Sequence, residues 1–292
     1  MKQSIKLLLG GALLLSLPMF LTSCQDILGE WDKPAPSIVT PSDGGGTTAT
    51  NTYIKYTAPG TSTNEPIGDA TKWNITSGDV AAGTYYVEGD VTCTGALTLQ
   101  GEVNLILKDG ATLTVNEGTM PFFDGANYVG DLNIFAQSTD PATMGKLIVT
   151  KTTPVGASPS EAPALVASNL TIHGGKIDAT GGATADATQY GLEVLGGKLT
   201  IYGGVVNALG KGTSYGICVD GLSSSFEIYG GDVTITGGGA NAFYSNAFTL
   251  GTGLKYYAAD TANPESNPAA NELTAPFANT CPNMYAKIQK SE

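Results

Sequence analysis

The sequence predicts an all-β fold, a right-handed parallel β-helix (solenoid) of about five to six coils with caps at its N- and C-terminal ends. Three observations predict it. A short phrase recurs as Leu170-Thr-Ile-His-Gly-Gly, Leu199-Thr-Ile-Tyr-Gly-Gly and Phe226-Glu-Ile-Tyr-Gly-Gly, with starts 29 and 27 residues apart. That spacing is about one coil of a solenoid, in which each repeat contacts only its neighbours. Around the phrases apolar residues alternate with polar ones at period two, the pattern of half-buried strands. Paired glycines close each phrase, where a bend needs a backbone conformation that side chains resist. Extracellular sandwich domains also carry short strands and glycine turns, but they rarely repeat one phrase in register.

The N-terminus reads as an address. Lys2 and Lys6 precede an apolar run from Leu7 to Leu21 that is too short to span a membrane. The run ends in Leu21-Thr-Ser-Cys24, which looks like a bacterial lipobox. That likeness implies a signal peptide over residues 1–23, lipidation of Cys24, and anchoring by acyl chains instead of a spanning helix. The segment behind it, Cys24-Gln-Asp-Ile-Leu-Gly-Glu-Trp-Asp-Lys-Pro, resembles the acidic stretches of Bacteroidota surface lipoproteins. The implied location is the outer membrane, displayed outward. Residues 24–52 then form a flexible tether, of which 33 to about 52 is rich in Pro, Ser, Gly and Thr and lacks the apolar content to order itself. Residues 53–292 are one domain's worth of chain, with 53–82 and 260–292 as the expected caps.

The coils follow in order. The first takes Thr84 to Cys93, Ala96 to Leu99 and Val103 to Val115; the second takes Phe122-Phe, Leu132-Asn-Ile-Phe and Lys146-Leu-Ile-Val. Three further coils share one layout. A strand opened by Ala164, Gly191 or Gly216 leads to the Leu-x-Ile-x-Gly-Gly strand, and then to a third at Lys176, Val205 or Asp232. Phe248 and Leu254 open a partial last coil. Leu165, Leu192, Ile217 and Phe248 are expected to stack as one inner column, and Ile172, Ile201 and Ile228 as another. The unpaired edges of the end coils require the caps.

Here a resemblance enters. Val103-Asn-Leu-Ile-Leu-Lys-Asp-Gly-Ala-Thr-Leu-Thr-Val, followed by Leu132-Asn-Ile-Phe-Ala-Gln and Gly145-Lys-Leu-Ile-Val, resembles β-helix modules of bacterial cell-surface proteins. The phrase from Leu170 to Gly182 is similar to a carbohydrate-binding β-helix family with polysaccharide-lyase-like topology. The likeness covers about 84–240. It implies non-catalytic binding of plant-wall polysaccharides, with calcium in the structure, and it transfers no contact residue by motif.

Charge and composition exclude several classes. The chain carries −12, and loss of Lys2 and Lys6 with the signal leaves it near −14. An acidic body repels nucleic acid and anionic lipid. All 14 basic residues are lysine, so the bidentate clamp that arginine gives to uronates and phosphates is absent. One histidine, His173, makes a Ser-His or Cys-His nucleophile pair implausible. Lipidation of Cys24 leaves Cys93, Cys218 and Cys281, an odd number with no zinc spacing. Cys93 is expected in the core, Cys218 facing outward and Cys281 in the C-terminal cap.

Function is sought on the outer surface. In Leu-x-Ile-x the second and fourth residues point out. The fourth reads Phe135, His173, Tyr202, Tyr229 and Tyr257, an expected aromatic column at about 4.8 Å per coil. The second reads Asn133, Thr171, Thr200, Glu227 and Lys255, a polar stripe beside it. Rings next to amides, hydroxyls and carboxylates suit a polysaccharide or other glycan, whose C–H faces pack on aromatics. The same ladder also stabilises strands by ~0.5–1.5 kcal/mol per pair without any ligand. Weaker candidates are Asp178, Asn207 and Thr234 on the third strands, and Tyr190 and Tyr215 in the turns.

No cofactor is required. The hard oxygen ligands of Asp124, Asn127 and Asp131, around Gly125 and Gly130, are the candidate calcium site. Strand-borne acids (Glu193, Glu227, Asp178, Asp220, Asp232) are scattered and form no Asp-Asp pair for a hydrolase. A lyase base would have to be a lysine such as Lys198 with a depressed pKa. The expected function is therefore a non-catalytic, glycan-binding surface lipoprotein. A structural or adhesin-like surface protein is the alternative, and a polysaccharide lyase or hydrolase the second.

Overall fold

A computed structural model describes residues 51–151, 163–182, 189–239 and 241–291. Cys24 and the lipobox lie outside the described residues. The fold is all-β with extensive parallel sheets; a four-residue α-helix, Pro268–Asn271, and a three-residue 3-10 turn are its helical content among the described residues.

Successive strands are dealt in turn to three sheet surfaces. The first is built on Thr71–Lys72, Gly83–Val87, Val103–Leu107, Leu132–Ala136, Leu170–Ile172, Lys198–Ile201, Ser225–Ile228 and Phe248–Leu250, all parallel. Its register places Leu132, Leu170, Leu199, Phe226 and Phe248 in one row, and Leu105, Ile134, Ile172, Ile201, Ile228 and Leu250 in the next inward row. The third runs parallel through Asp90–Cys93, Thr112–Val115, Lys146–Thr150, Lys176–Thr180, Val205–Leu209 and Asp232–Thr236.

The second surface is divided into two four-stranded sheets. Gly78–Val80, Leu97–Leu99 and Thr119–Phe123 run parallel in one; Leu165–Ala167, Leu192–Leu195, Ile217–Asp220 and Phe243–Ser245 run parallel in the other. At the break, the Thr119 hydroxyl accepts the Val166 amide and donates to the Val166 carbonyl, each at 3.0 Å. The next residue but one is Pro121, which has no N–H to offer a ladder. The strand then folds back as a hairpin, pairing Phe122 with Val129 and Phe123 with Tyr128.

Inward residues of all three surfaces belong to one hydrophobic cluster. Two ends of that cluster are closed by aromatics. At one, Trp73 is buried against Tyr85 and donates its Nε1–H to the Ile75 carbonyl at 2.9 Å. At the other, Phe226, Phe243, Phe248, Tyr256 and Phe277 pack with centroids 4.8–6.0 Å apart.

Several expectations change. Phe248 does not continue the Leu165, Leu192, Ile217 column; Phe243 does, and Phe248 lies over Phe226. Leu254-Lys-Tyr-Tyr is not a coil strand. Leu254–Ala259 runs antiparallel to Tyr285–Lys290, which itself runs antiparallel to Asp232–Thr236. Residues 53–82 divide in function: 71–80 supply end strands, whereas Thr52–Ala58 and Thr61–Pro66 form a hairpin laid on the flank of the first sheet. Cys218 alternates away from the core as expected, yet it is only 5% exposed because neighbouring side chains cover it. Cys93 and Cys281 are buried thiols, and none of the three is in a disulfide.

The paired glycines act as the bends require. Gly204 and Gly231 have φ of 90° and 92°, and a Cβ at Gly204 would meet the Gly175 carbonyl oxygen at 2.5 Å. Only glycine permits both the left-handed backbone and that approach between stacked turns.

Candidate functional site

Four of the five expected column residues come together. Phe135 and His173 stack with centroids 4.4 Å apart, His173 and Tyr202 at 5.5 Å, and Tyr202 and Tyr229 at 5.6 Å, with planes within 22° of parallel. Backbone register holds them: the amides of His173, Tyr202 and Tyr229 donate to the carbonyls of Ile134, Ile172 and Ile201 in the preceding repeat. Tyr257 is a correction. Its strand is antiparallel and in a different sheet, the side chain is buried, and the position after Tyr229 is Gly251. Lys255 leaves the polar stripe for the same reason.

The column is also less open than the sequence suggests. The flanking hairpin covers its first half. Tyr53 packs edge-on to Phe135 at 4.8 Å, and Tyr56 lies parallel to Tyr202 at 5.7 Å and to His173 at 6.5 Å. The Tyr56 amide donates to His173 Nδ1 at 2.9 Å, fixing a neutral ring with its proton on Nε2. Phe135 is 3% and His173 7% exposed, and Phe135 shares a small satellite cluster with Ile67 and Ile106. Burial, and then the nearby Lys55 charge, push the His173 pKa down to about 4.

Tyr202 and Tyr229 remain half-exposed. Beside them the second-position residues stand in register as Asn104, Asn133, Thr171, Thr200, Glu227 and Thr249. Asn133 donates to Asn104 Oδ1 at 3.0 Å and to Glu102 Oε1 at 3.1 Å, and Thr200 is buried. Glu227 gathers the polar end of the site: Lys198 Nζ is 2.8 Å from its Oε1, and the Tyr229 hydroxyl donates to Oε2 at 3.1 Å. Burial and the Glu227 carboxylate raise the Tyr229 pKa, while the Lys198 pKa is raised chiefly by its hydrogen bond to Glu227. Lys198 is thus held as a cation, the reverse of what a lyase base needs. On the other side of Tyr202 opens a cleft of about 400 Å³, lined by Tyr56, Met144, Val205, Asp232, Gln289 and Lys290 among others.

The remaining candidates fall as follows. Asp178, Asn207 and Thr234 are in register, with Asn207 donating to Asp178 at 2.7 Å and Lys146 pairing with it at 2.6 Å. Tyr190 and Tyr215 stack at 6.2 Å, and Tyr244, missed in the sequence, continues that ladder at 5.8 Å. Burial and then Glu193 push the Cys218 thiol up to about 12, with Tyr190 hydrogen-bonded beside it. Asp124 Oδ1 accepts the amides of Ala126 and Asn127 at 2.8 Å each, which lowers its pKa, and Asp131 accepts from Asn169 at 2.8 Å. Among the described residues no three His, Cys, Asp or Glu side chains converge to hold a metal ion.

Sequence reasoning also missed an apolar projection. Phe122, Phe123 and Tyr128 of the back-folded hairpin are 40%, 52% and 49% exposed. Two adjacent phenylalanines break the period-two rule, the one local sign that the strand leaves the sheet there. Comparison with family models, with curated proteins and with solved structures finds no match to this chain.

Proposed function

We propose that this chain is a non-catalytic, glycan-binding surface lipoprotein, anchored to the outer membrane through Cys24, whose three sheet surfaces are the faces of a right-handed parallel β-helix. The β-helix reading rests on strands being dealt in turn to three parallel surfaces, and right-handed crossover is the rule for parallel strands. The binding reading rests on one observation. Tyr202 and Tyr229 form a half-exposed pair of stacked rings between the Glu227–Lys198 ion pair and a cleft of about 400 Å³. Aromatic faces give a pyranose its apolar platform, and flanking charged groups give its hydroxyls partners. The acidic chain without arginine favours a neutral polymer over an anionic one.

The test is depletion of the full-length chain, in detergent, by a panel of insoluble polysaccharides with and without calcium. The Tyr202→Ala/Tyr229→Ala variant runs alongside at matched thermal stability. Retention of the wild type and its loss in the variant supports the reading; equal retention moves the site elsewhere. A second reading, contact with a host or neighbouring-cell protein, is favoured by the exposed Phe122, Phe123 and Tyr128. It predicts no retention on any polymer.

A further inference from the structure

The bends between the second and first sheet surfaces carry another cleft, of about 450 Å³, that shares no lining residue with the one beside Tyr202. Its walls come from three successive turns, around Ser168 and Asn169, Gly196 and Gly197, and Asp220 and Gly221. The back-folded hairpin adds Asn127 and Tyr128 at the rim. Nothing lies within 4 Å of a Cβ built at Gly196, so this turn leaves its part of the cleft open.

The chemistry of the lining is selective. Tyr128 offers a ring that is 49% exposed and steadied by Phe123 at 5.1 Å. Ser168 is 7% exposed, and its buried hydroxyl has no hydrogen-bond partner among the described residues. A buried hydroxyl without a partner is unfavourable unless something else satisfies it. Asp220 Oδ1 accepts the Gly221 amide at 2.8 Å, and its Oδ2 accepts no hydrogen bond among the described residues. Asn169 is already used, accepting the Lys198 amide at 2.9 Å and donating to Asp131, so it shapes the wall. No lysine is among the described residues that line the cleft. An anionic ligand would therefore meet a carboxylate with no compensating cation.

We propose that this cleft is a second saccharide subsite, in which Tyr128 packs on the C–H face of a neutral pyranose while Ser168, Asn127 and Asp220 bond its hydroxyls. The subsite does not depend on the Tyr202 and Tyr229 surface. A polymer that engages both gains avidity through effective concentration, without new contacts.

The experiment is calorimetric titration of the full-length chain, in detergent, with cellohexaose, xylohexaose, mannohexaose and maltohexaose, and with hexagalacturonate as the anionic control. At least one neutral hexasaccharide binds. Tyr128→Ala weakens it tenfold or more, and Ser168→Ala several-fold with no loss of thermal stability, because that hydroxyl has no partner among the described residues. Each titration is repeated in the Tyr202→Ala/Tyr229→Ala background, where the neutral hexasaccharide binding that remains belongs to this cleft, which separates failure of the subsite from failure of the ladder. Asn127→Ala, at an exposed position, reads the same loss should Ser168→Ala perturb folding. Binding of no neutral hexasaccharide, binding of hexagalacturonate alone, or affinity indifferent to both Tyr128→Ala and Ser168→Ala overturns the proposal.

Discussion

His173 sits in its ladder as a neutral base whose acceptor nitrogen is taken by the Tyr56 amide. Its pKa in the folded chain is about 4, whereas the unfolded chain titrates near the ordinary 6.5. The unfolded state therefore takes up the proton first. The stability tied to the neutral ring is whole above about pH 6.5, falls as pH drops, and is gone near pH 4. Between pH 7 and pH 5 the loss is about 2 kcal/mol. His173 is the chain's single histidine, and Glu88, held down to about 2 by Lys108 and Lys72, titrates far below this window. Urea unfolding at the two pH values should show the drop in the wild type and a flat profile in His173→Phe; equal slopes would contradict the assignment. The pairing of Phe135, His173, Tyr202 and Tyr229 was legible because each follows the same Leu-x-Ile beat. Their burial was not, because it depends on a segment about 80 residues away from Phe135 in the chain.

At the scale of the element, the bends and the flanking hairpin make separate demands. Gly204 and Gly196 both have positive φ, but only Gly204 has a carbonyl within 2.5 Å of where a Cβ would sit. Gly196→Ala should destabilise by about 1 kcal/mol, the left-handed backbone alone, and Gly204→Ala by about 3 kcal/mol or more. Denaturant midpoints with unchanged m-values would measure both. The hairpin gives a different prediction. Tyr56→Ala removes the ring that shelters His173, so the histidine titration followed by NMR should move from about 4 toward its ordinary value. These glycines were legible from their pairing and register. The hairpin was not: alternation in Thr52–Ala58 marks a strand, but nothing local says which surface it covers. The Tyr257 misplacement has a related cause, since the motif Leu-x-Tyr-Tyr fits the beat while the chain reversal that disqualifies it is set by pairing with residues 285–290.

For the whole molecule, the register of the parallel sheets follows the repeated phrase, and the ends are where the repetition stops. Leu165, Leu192 and Ile217 could be placed in one column from sequence because one layout governs all three repeats. Phe243 and Phe248 could not be assigned correctly, since Phe248 follows its partner Phe226 by only 22 residues, where the earlier phrases start 29 and 27 apart, and no Gly-Gly pair closes its strand. The antiparallel strands Leu254–Ala259 and Tyr285–Lys290 cover the cluster of Phe226, Phe243 and Phe248. A chain ending at Leu250 exposes those rings beside open strand edges, and should elute from size exclusion as large assemblies. A monodisperse monomer would show that the cap is dispensable. The most direct test of the central claim is the affinity of the full-length chain for the polysaccharide that retains it, measured for the wild type and for Tyr202→Ala/Tyr229→Ala at equal thermal stability. A tenfold or greater loss of affinity in the variant is the predicted result, and an affinity unchanged by removal of both rings would contradict it.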